Sequence, residues 1–315
     1  MRQAGRDGVP HTIDLRFLDQ PSVIASYLLR AGDDTALVDA GPASSVATLL
    51  SGLGDAGIAP EQVRHVLLTH IHLDHAGAAG VLIQHLPNAR VYVHEVGAPH
   101  LIDPSRLISS ASRVYGRLTK RLWGDMLPVP VDRLVVLHDD QILEVADRRL
   151  HVLYAPGHAI HHVVYRDLDE GSMYVGDVAG VRMPGSSYVR PPTPPPDLDL
   201  DAWETTIDRL AALHPTAFYV THFGRVAGTQ EHLDQLRRRL RTWEQLVLTH
   251  MQAGEDRAAI TLALQRASDL ELSQIDAPEI ARLYETAGSS AMNVSGFERY
   301  LRKRHPDLAP LPSSL

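Results

Sequence analysis

Val66-Leu67-Leu68-Thr69-His70-Ile71-His72-Leu73-Asp74-His75-Ala76-Gly77-Ala78-Ala79-Gly80 decides how this chain is read. An apolar run ends in three imidazoles and a carboxylate within six residues, and small residues then open a helix. In an extended turn, side chains two apart fall on the same side. His70 and His72 can therefore close on one cation while Asp74 and His75 address another, so one loop seeds two metal sites. Two divalent ions need more than four ligands, and three short apolar runs downstream each deliver one more. Leu150–Ala155 leads into Pro156-Gly157-His158, Met173–Gly176 ends in Asp177, and Phe218–Thr221 ends in His222. The C-terminal ends of strands are where open α/β sheets gather their ligands.

Composition narrows the chemistry. The 315 residues include no cysteine, which excludes disulfides, thiolate zinc sites, iron–sulfur clusters and cysteine nucleophiles. Any metal must bind His, Asp or Glu, and the chain holds eighteen histidines. Thirty Lys+Arg against 38 Asp+Glu leave a formal charge of −8, the wrong sign for gripping phosphate backbones, so no nucleic-acid partner is expected. The run Arg237-Arg238-Arg239-Leu240-Arg241 reads as the solvated face of a helix, because Leu233, Leu236 and Leu240 recur at helical spacing. With 44% hydrophobic and 22% charged residues, the chain has the balance of an ordinary folded protein. The opening MRQAGRDGVP has no apolar signal region, and no stretch approaches the ~20 apolar residues of a bilayer span. The expectation is a cytoplasmic protein with no membrane partner.

Along the chain, Thr12 to Asp39 reads as three short strands separated by turns, followed by a helix from Ser44 to Leu53 and a strand His65–Thr69. A helix from about Ala76 to Leu86 and a strand Arg90–His94 come next. A basic amphipathic segment then interrupts the alternation, and a second strand-rich block follows, which suggests two similar halves. Five prolines between Pro191 and Pro196 exclude a helix or central strand there and make a stiff loop. A helix Leu200–Leu213 and a strand Ala217–Thr221 precede a tail of helices only. This gives a catalytic domain over 1–228, with a helical insertion at about 103–123 and a Pro-rich loop at 183–200, and a C-terminal helical region over 229–315. In that tail Leu236, Leu240, Trp243 and Val247 form an apolar stripe read as core, with a lid or a homodimer surface as the other readings.

The Thr69–Gly80 segment, Ala155-Pro156-Gly157-His158, Val175-Gly176-Asp177 and Thr221-His222-Phe223-Gly224 together resemble the metallo-β-lactamase-fold hydrolase superfamily, in its glyoxalase II-like and lactonase-like branch. The resemblance covers about residues 11–225. It implies an α+β fold, a four-layer αββα sandwich with a C-terminal helical extension, and a site at one edge of two facing sheets. By the same resemblance His70, His72 and His158 hold a first metal, Asp74, His75 and His222 a second, and Asp177 bridges them. Many relatives read His-Thr-x-Gly-His from the third ligand, whereas this chain has His158-Ala159-Ile160-His161-His162, with His161 where the glycine would stand. His161 and His162 are read as supports for the ligands.

The function expected is a dinuclear-metal hydrolase in which a metal-bridging hydroxide attacks a small carbonyl substrate, a lactone, thioester or ester. Asp74 is the expected catalytic residue, orienting the hydroxide and carrying a proton to the leaving group. Two divalent ions are the cofactor, with zinc expected from the imidazole-rich ligand set and iron or manganese also compatible with it. Tyr115, Tyr188 and Arg190 are the candidate substrate contacts, from the basic segment and the Pro-rich loop; Arg113 and Arg117 read equally well as a solvated helix face. The alternatives are a phosphodiesterase or ribonuclease on the same fold, a mononuclear iron dioxygenase of the persulfide type, and a non-catalytic scaffold. A scaffold would have lost a ligand, and none is missing.

Overall fold

Strand-forming residues of the first half pair with one another, and those of the second half do the same, giving two six-stranded sheets. The computed structural model describes residues 8–274 and 278–308, so residues 1–7 and 309–315 at the two ends of the expected regions lie outside the described residues. The first sheet runs in chain order through β1 (His11–Asp14), β2 (Ala25–Ala31), β3 (Asp34–Val38), β4 (Val63–Leu67), β5 (Arg90–His94) and β6 (Leu134–Leu137). Its first three strands form an antiparallel meander, and β3 to β6 are parallel. The parallel crossovers carry α1 (Val46–Asp55), α2 (Leu73–Ala76), α3 (Ala79–His85), α4 (Ala98–Ile102), α5 (Ser105–Tyr115) and α6 (Thr119–Trp123).

The second sheet holds β7 (Ile142–Val145), β8 (Arg148–Tyr154), β9 (Val163–Asp167), β10 (Met173–Gly176), β11 (Phe218–Val220) and β12 (Gly224–Val226), also in chain order. Only β10 and β11 are parallel, joined through α7 (Leu200–Ala212). Then come α8 (Thr229–Gln252), α9 (Arg257–Ser273), α10 (Pro278–Ala287) and α11 (Ser290–Arg304).

Alternation along each strand assigns side chains to layers. Tyr27, Val38 and Leu67 of the first sheet meet Val152, Tyr165 and Tyr174 of the second in a core between the sheets. Their neighbours Leu37, Val66 and Val91 turn outward beneath Leu49, Leu53 and Leu82 of α1 and α3. On the opposite side Val164, Val175 and Phe218 pack under Trp203, Leu236, Trp243 and Phe297, from α7, α8 and α11. The result is an α+β αββα sandwich. Strands covered on both faces are apolar at nearly every position, which is why β10, buried throughout, reads as a continuous apolar run.

The C-terminal helices share the outer core of the second sheet: Leu233, Leu236, Leu240, Trp243 and Val247 of α8 lie in it. The arginine run is split. Arg237, half-buried, and Arg241, exposed, pair with Glu204 at 2.8 and 2.9 Å, and the exposed Arg238 with Glu231 at 3.4 Å. Arg239 departs from the expected solvated face: it is buried, pairs with Glu271 at 2.9 Å and lies 4.0 Å over the Tyr188 ring. Helical pitch places Arg239 one residue before Leu240, on the inward edge of the apolar stripe.

Hydrogen bonds lace the two sheets at one edge. The Val163 N–H donates to the Thr69 carbonyl at 2.7 Å and the Ala25 N–H to the Thr221 carbonyl at 2.8 Å. The Tyr165 hydroxyl donates to Leu68 at 2.7 Å, and the Tyr27 hydroxyl to Val220. Both tyrosines are buried, so these bonds also settle hydroxyls that would be costly to leave unpaired.

His232, in the first turn of α8, ties the tail to the segment after β10 by donating from Nε2 to the Ala179 carbonyl at 2.6 Å. Burial pushes its pKa down to about 4, against the opposing pull of that bond. His232 is then neutral in the folded chain and protonated in the unfolded chain below the ordinary value of 6.5, so its contribution is complete above that pH and is lost as pH falls toward 4. Urea denaturation at about pH 7.5 and about pH 4.5 should show His232→Gln, which keeps an N–H donor, losing less stability than wild type across that interval, by on the order of 2 kcal/mol. Equal losses in the two proteins would refute the assignment.

Candidate metal centre

The ligand-bearing positions follow the C-terminal ends of β4, β8, β10 and β11, which point to the same laced edge. His70 and His72 lie on the extended stretch after β4, with His72 at φ −61°, ψ 154°. The following helix starts at Leu73, three residues earlier than the sequence pattern indicates, and is interrupted before α3. Asp74 and His75 therefore sit on a helical first turn rather than on an extended one, and it is the helical rotation that swings them to a different side from His70 and His72. Two glycines make room. Gly176 has φ +48°, and a Cβ there would lie 2.6 Å from Thr69 Oγ1 and 2.8 Å from His162 Nε2; Gly157 has φ +138° and lies against Trp203.

All seven expected ligands converge. His70, His72 and His158 form one group, Asp74, His75 and His222 another, and His70, His75 and Asp177 a third between them, with the ligand atoms of each group within 4.8 Å of one another. His72 Nδ1 lies 2.9 Å from both His70 Nε2 and His158 Nε2. Asp177 faces His75 Nε2 at 3.3 Å, His158 Nε2 at 3.5 Å and His222 Nε2 at 3.5 Å. Asp74 is 3.4 Å from His222 Nε2 and 3.7 Å from His75 Nε2.

Three of the rings are anchored on their far side. His75 Nδ1 donates to Asp39 at 2.7 Å, His158 Nδ1 to the Pro192 carbonyl at 2.8 Å, and His222 Nδ1 to the Val23 carbonyl at 2.7 Å. These bonds orient the three rings and turn each Nε2 inward. Inside, His75 Nε2, His222 Nε2 and Asp177 Oδ1 are buried without a hydrogen-bond partner. Buried polar atoms are seldom left so, and three of them converging from separate elements fit a cation. The set of imidazoles and carboxylates, without sulfur, suits zinc, iron or manganese.

Electrostatics keep His70, His72 and the two carboxylates in binding form, and act the other way on His75 and His222. Burial, then the neighbouring His75 and His72, hold His70 well below the ordinary histidine range, and burial with His158 pushes His72 down to about 3. These rings are neutral near pH 7. Burial works against charge on Asp74 and Asp177, but the His75 and His222 rings outweigh it, bringing Asp74 to about 2 and Asp177 well below the usual carboxylate range. Burial opposes charge on His75 too, yet Asp177, Asp74 and Asp39 together lift it well above its ordinary value, so a cation taken up at its Nε2 displaces a proton.

Asp39 was not singled out by the sequence pattern. It lies just past β3, fully buried, and accepts from the Thr69 N–H at 2.8 Å, the Thr69 hydroxyl at 3.0 Å, the Thr221 hydroxyl at 2.7 Å and His75. Its signal was present, since Ala36-Leu37-Val38-Asp39 is another apolar run ending in a carboxylate. His162 Nε2 accepts from the Asp177 N–H at 3.2 Å and stacks on His70, and His161 lies 3.7 Å from Asp197, so both sit behind the ligand loops.

A cavity of about 500 Å³ opens on His72, Asp74 and Asp177. Its walls are mostly apolar, with Phe17, Leu107, Ala111, Tyr115, Trp123 and Met292 among them, and the Pro194–Pro196 stretch along one side. Tyr115 is on this wall, as expected, and burial plus the Asp74 charge push its hydroxyl up to about 12. Tyr188 and Arg190 correct the sequence expectation. Tyr188 is buried against Tyr284 and its hydroxyl meets Ser268 at 2.8 Å; Arg190 pairs with Glu285 at 2.5 Å and donates to Ser290 at 2.8 Å. Neither lines the cavity, because the bridge between Val181 and Arg190 folds that part of the loop back under the C-terminal helices. Arg113 is exposed and donates to Ser109.

Residues 19–222 match the family model described as the metallo-beta-lactamase superfamily. A metallo-beta-lactamase fold-containing protein of Sulfurisphaera tokodaii is 27% identical over 231 residues, 72% of this chain and 83% of that one. An atrochrysone carboxyl ACP thioesterase of Aspergillus fumigatus is 23% identical over 251 residues, 78% of this chain and 66% of that enzyme, slightly under two thirds of its length. A metallo-beta-lactamase family protein of Thermus thermophilus superposes with a TM-score of 0.67 at 24% identity, over 89% of each chain.

If Asp39 sets the orientation of His75 and, through Thr69, of His70, then Asp39→Asn should weaken zinc binding about 10- to 100-fold while near-UV circular dichroism stays native. Competition with a chromophoric chelator measures this, and unaltered affinity would remove Asp39 from the site's support.

Proposed function

Because the chain belongs to the metallo-beta-lactamase superfamily and gathers seven chelating side chains at one sheet edge, we propose that it is a dinuclear-metal hydrolase of carbonyl esters, with an apolar acyl thioester as the favoured substrate. The observation that carries this reading is the convergence of His75 Nε2, His222 Nε2 and Asp177 Oδ1, buried and unpartnered, beside the neutral trio His70, His72 and His158. In this reading His70, His72 and His158 hold one ion, Asp74, His75 and His222 the other, and Asp177 serves both. Zinc is the proposed metal. When bound, such cations supply Lewis acidity and make water acidic enough to attack near neutral pH.

The side chains divide the remaining tasks. Asp74 is ionised and lines the cavity, so it can orient the attacking water and move its proton. Tyr115 keeps its proton and offers an O–H donor on the same wall. Water adds to the acyl carbon, the carbon–sulfur bond breaks, the departing sulfur takes the proton carried by Asp74, and a free thiol leaves with a carboxylic acid that gives its remaining proton to solvent. The apolar walls bury the acyl group and keep bulk water from the reacting carbon. The thioesterase among the relatives supports a thioester over a lactone. The second chelating group, Asp74, His75 and His222, favours this reading over a mononuclear dioxygenase, which uses fewer ligands.

Reconstituted protein should hold close to two zinc ions per chain and hydrolyse acyl thioesters. His72→Ala should lose metal and at least 100-fold in kcat/KM together while far-UV circular dichroism is retained. Full turnover by that variant, or stoichiometry of one ion or less in wild type, would overturn the proposal.

A further inference from the structure

The apolar cavity adjoins a second depression of about 490 Å³ with a different character, and Pro195 and Arg299 line both. This cleft is bordered by Arg257 at the start of α9 and by Ser295, Glu298, Arg299, Arg302 and Lys303, all on α11. Spacing of three, four and seven residues brings the α11 side chains to one side, while Val294, Phe297 and Leu301 face the core. Two of the cations are already matched: Arg257 and Arg302 pair with Glu298 at 2.6 and 3.1 Å. The other two are not. Among the described residues Arg299 donates only to the Pro196 carbonyl at 3.2 Å, and neither it nor Lys303 forms an ion pair. Asp197 is near enough to act on both, and among the described residues that line the cleft four cations stand against the one carboxylate of Glu298, on a chain of net charge −8.

A substrate held at the chelating cluster can thus extend in two chemically distinct directions, into an apolar cavity and past Arg299 into a basic cleft. Building on the thioesterase reading, we propose that the leaving group is a phosphorylated thiol chain: the acyl part fills the apolar cavity, and the phosphate is bound by Arg299 and Lys303. An uncharged leaving group would gain nothing from the cleft. The guanidinium fork of Arg299 and the mobile ammonium of Lys303 suit a phosphate. A phosphopantetheine arm has this chemistry, either in coenzyme A or attached to a carrier protein.

The first test is calorimetric binding of pantetheine 4′-phosphate and of pantetheine to the zinc-loaded protein. Both present the same thiol to the metals, so only the phosphate distinguishes them. The phosphate should tighten binding roughly five- to tenfold, and Lys303→Glu or Arg299→Glu should abolish that difference. Equal affinities, or a preference that survives both reversals, would overturn the proposal. The second test compares kcat/KM for an acyl-coenzyme A with that for the same acyl group on N-acetylcysteamine, whose ratio should fall in the same variants and with added salt. Hydrolysis of both thioesters at one rate would sink the cleft while leaving the hydrolase reading intact. Phosphate-dependent binding without hydrolysis of either would sink the hydrolase reading and retain the cleft. Presenting the acyl group on a carrier protein separates the two sources of the arm.

Discussion

The site depends on one buried carboxylate, Asp39. An ionised group inside a protein persists only where donors replace its water. Here the Thr69 N–H and hydroxyl, the Thr221 hydroxyl and the His75 ring supply them. Thr69 belongs to the first sheet's edge and Thr221 to the second's, so the same charge that orients His75 also clamps the two sheets where the ligands emerge. The arrangement extends one bond further. With its hydroxyl proton given to Asp39, Thr69 Oγ1 accepts from His70 Nδ1 at 3.1 Å, which leaves His70 Nε2 as a bare lone pair facing His72. One carboxylate thereby sets the tautomers of two expected ligands.

Much of this was legible before any coordinates. The alternation of strands and helices, the two similar halves, and the pattern of apolar runs ending in His158, Asp177 and His222 are properties of local sequence, because a strand buried on both faces must be apolar and its end is where a polar residue first reaches the edge. Asp39 carries the same signature as Asp177, and nothing local in the sequence separates a ligand from the support behind one. What distinguishes it is tertiary: the donors around it come from Thr69, His75 and Thr221, scattered over much of the chain.

The misplaced rim residues show where such reading stops. Tyr188 and Arg190 follow Asp177 closely in sequence, and proximity suggested the mouth of the site. Their position is decided instead by partners a hundred or so residues later: Glu285 and Ser290 for Arg190, and Ser268 and Tyr284 for Tyr188. Polarity alone could not reveal this, because a buried arginine with a carboxylate partner and an exposed one look alike in a sequence. The consequence is functional. By holding α10 and α11 against the Pro-rich loop, Arg190 helps bring Glu285, Ala287 and Met292 to the cavity wall, so it shapes the pocket from behind.

The cluster and the cavity are therefore built by different means. The chelating side chains sit on strand ends tied across two sheets, and small displacements there would strain the bonds through Thr69, Thr221 and Val23. Much of the cavity wall comes from α5, α6, the Pro-rich loop and the segment around α10 and α11, none of which contributes to either sheet. Substitutions in those helices can change which molecule fits without disturbing the sheet edge that performs the chemistry. The edge fixes the charge and orientation of the chelating side chains, and the helices set the shape and polarity of the cavity beside them.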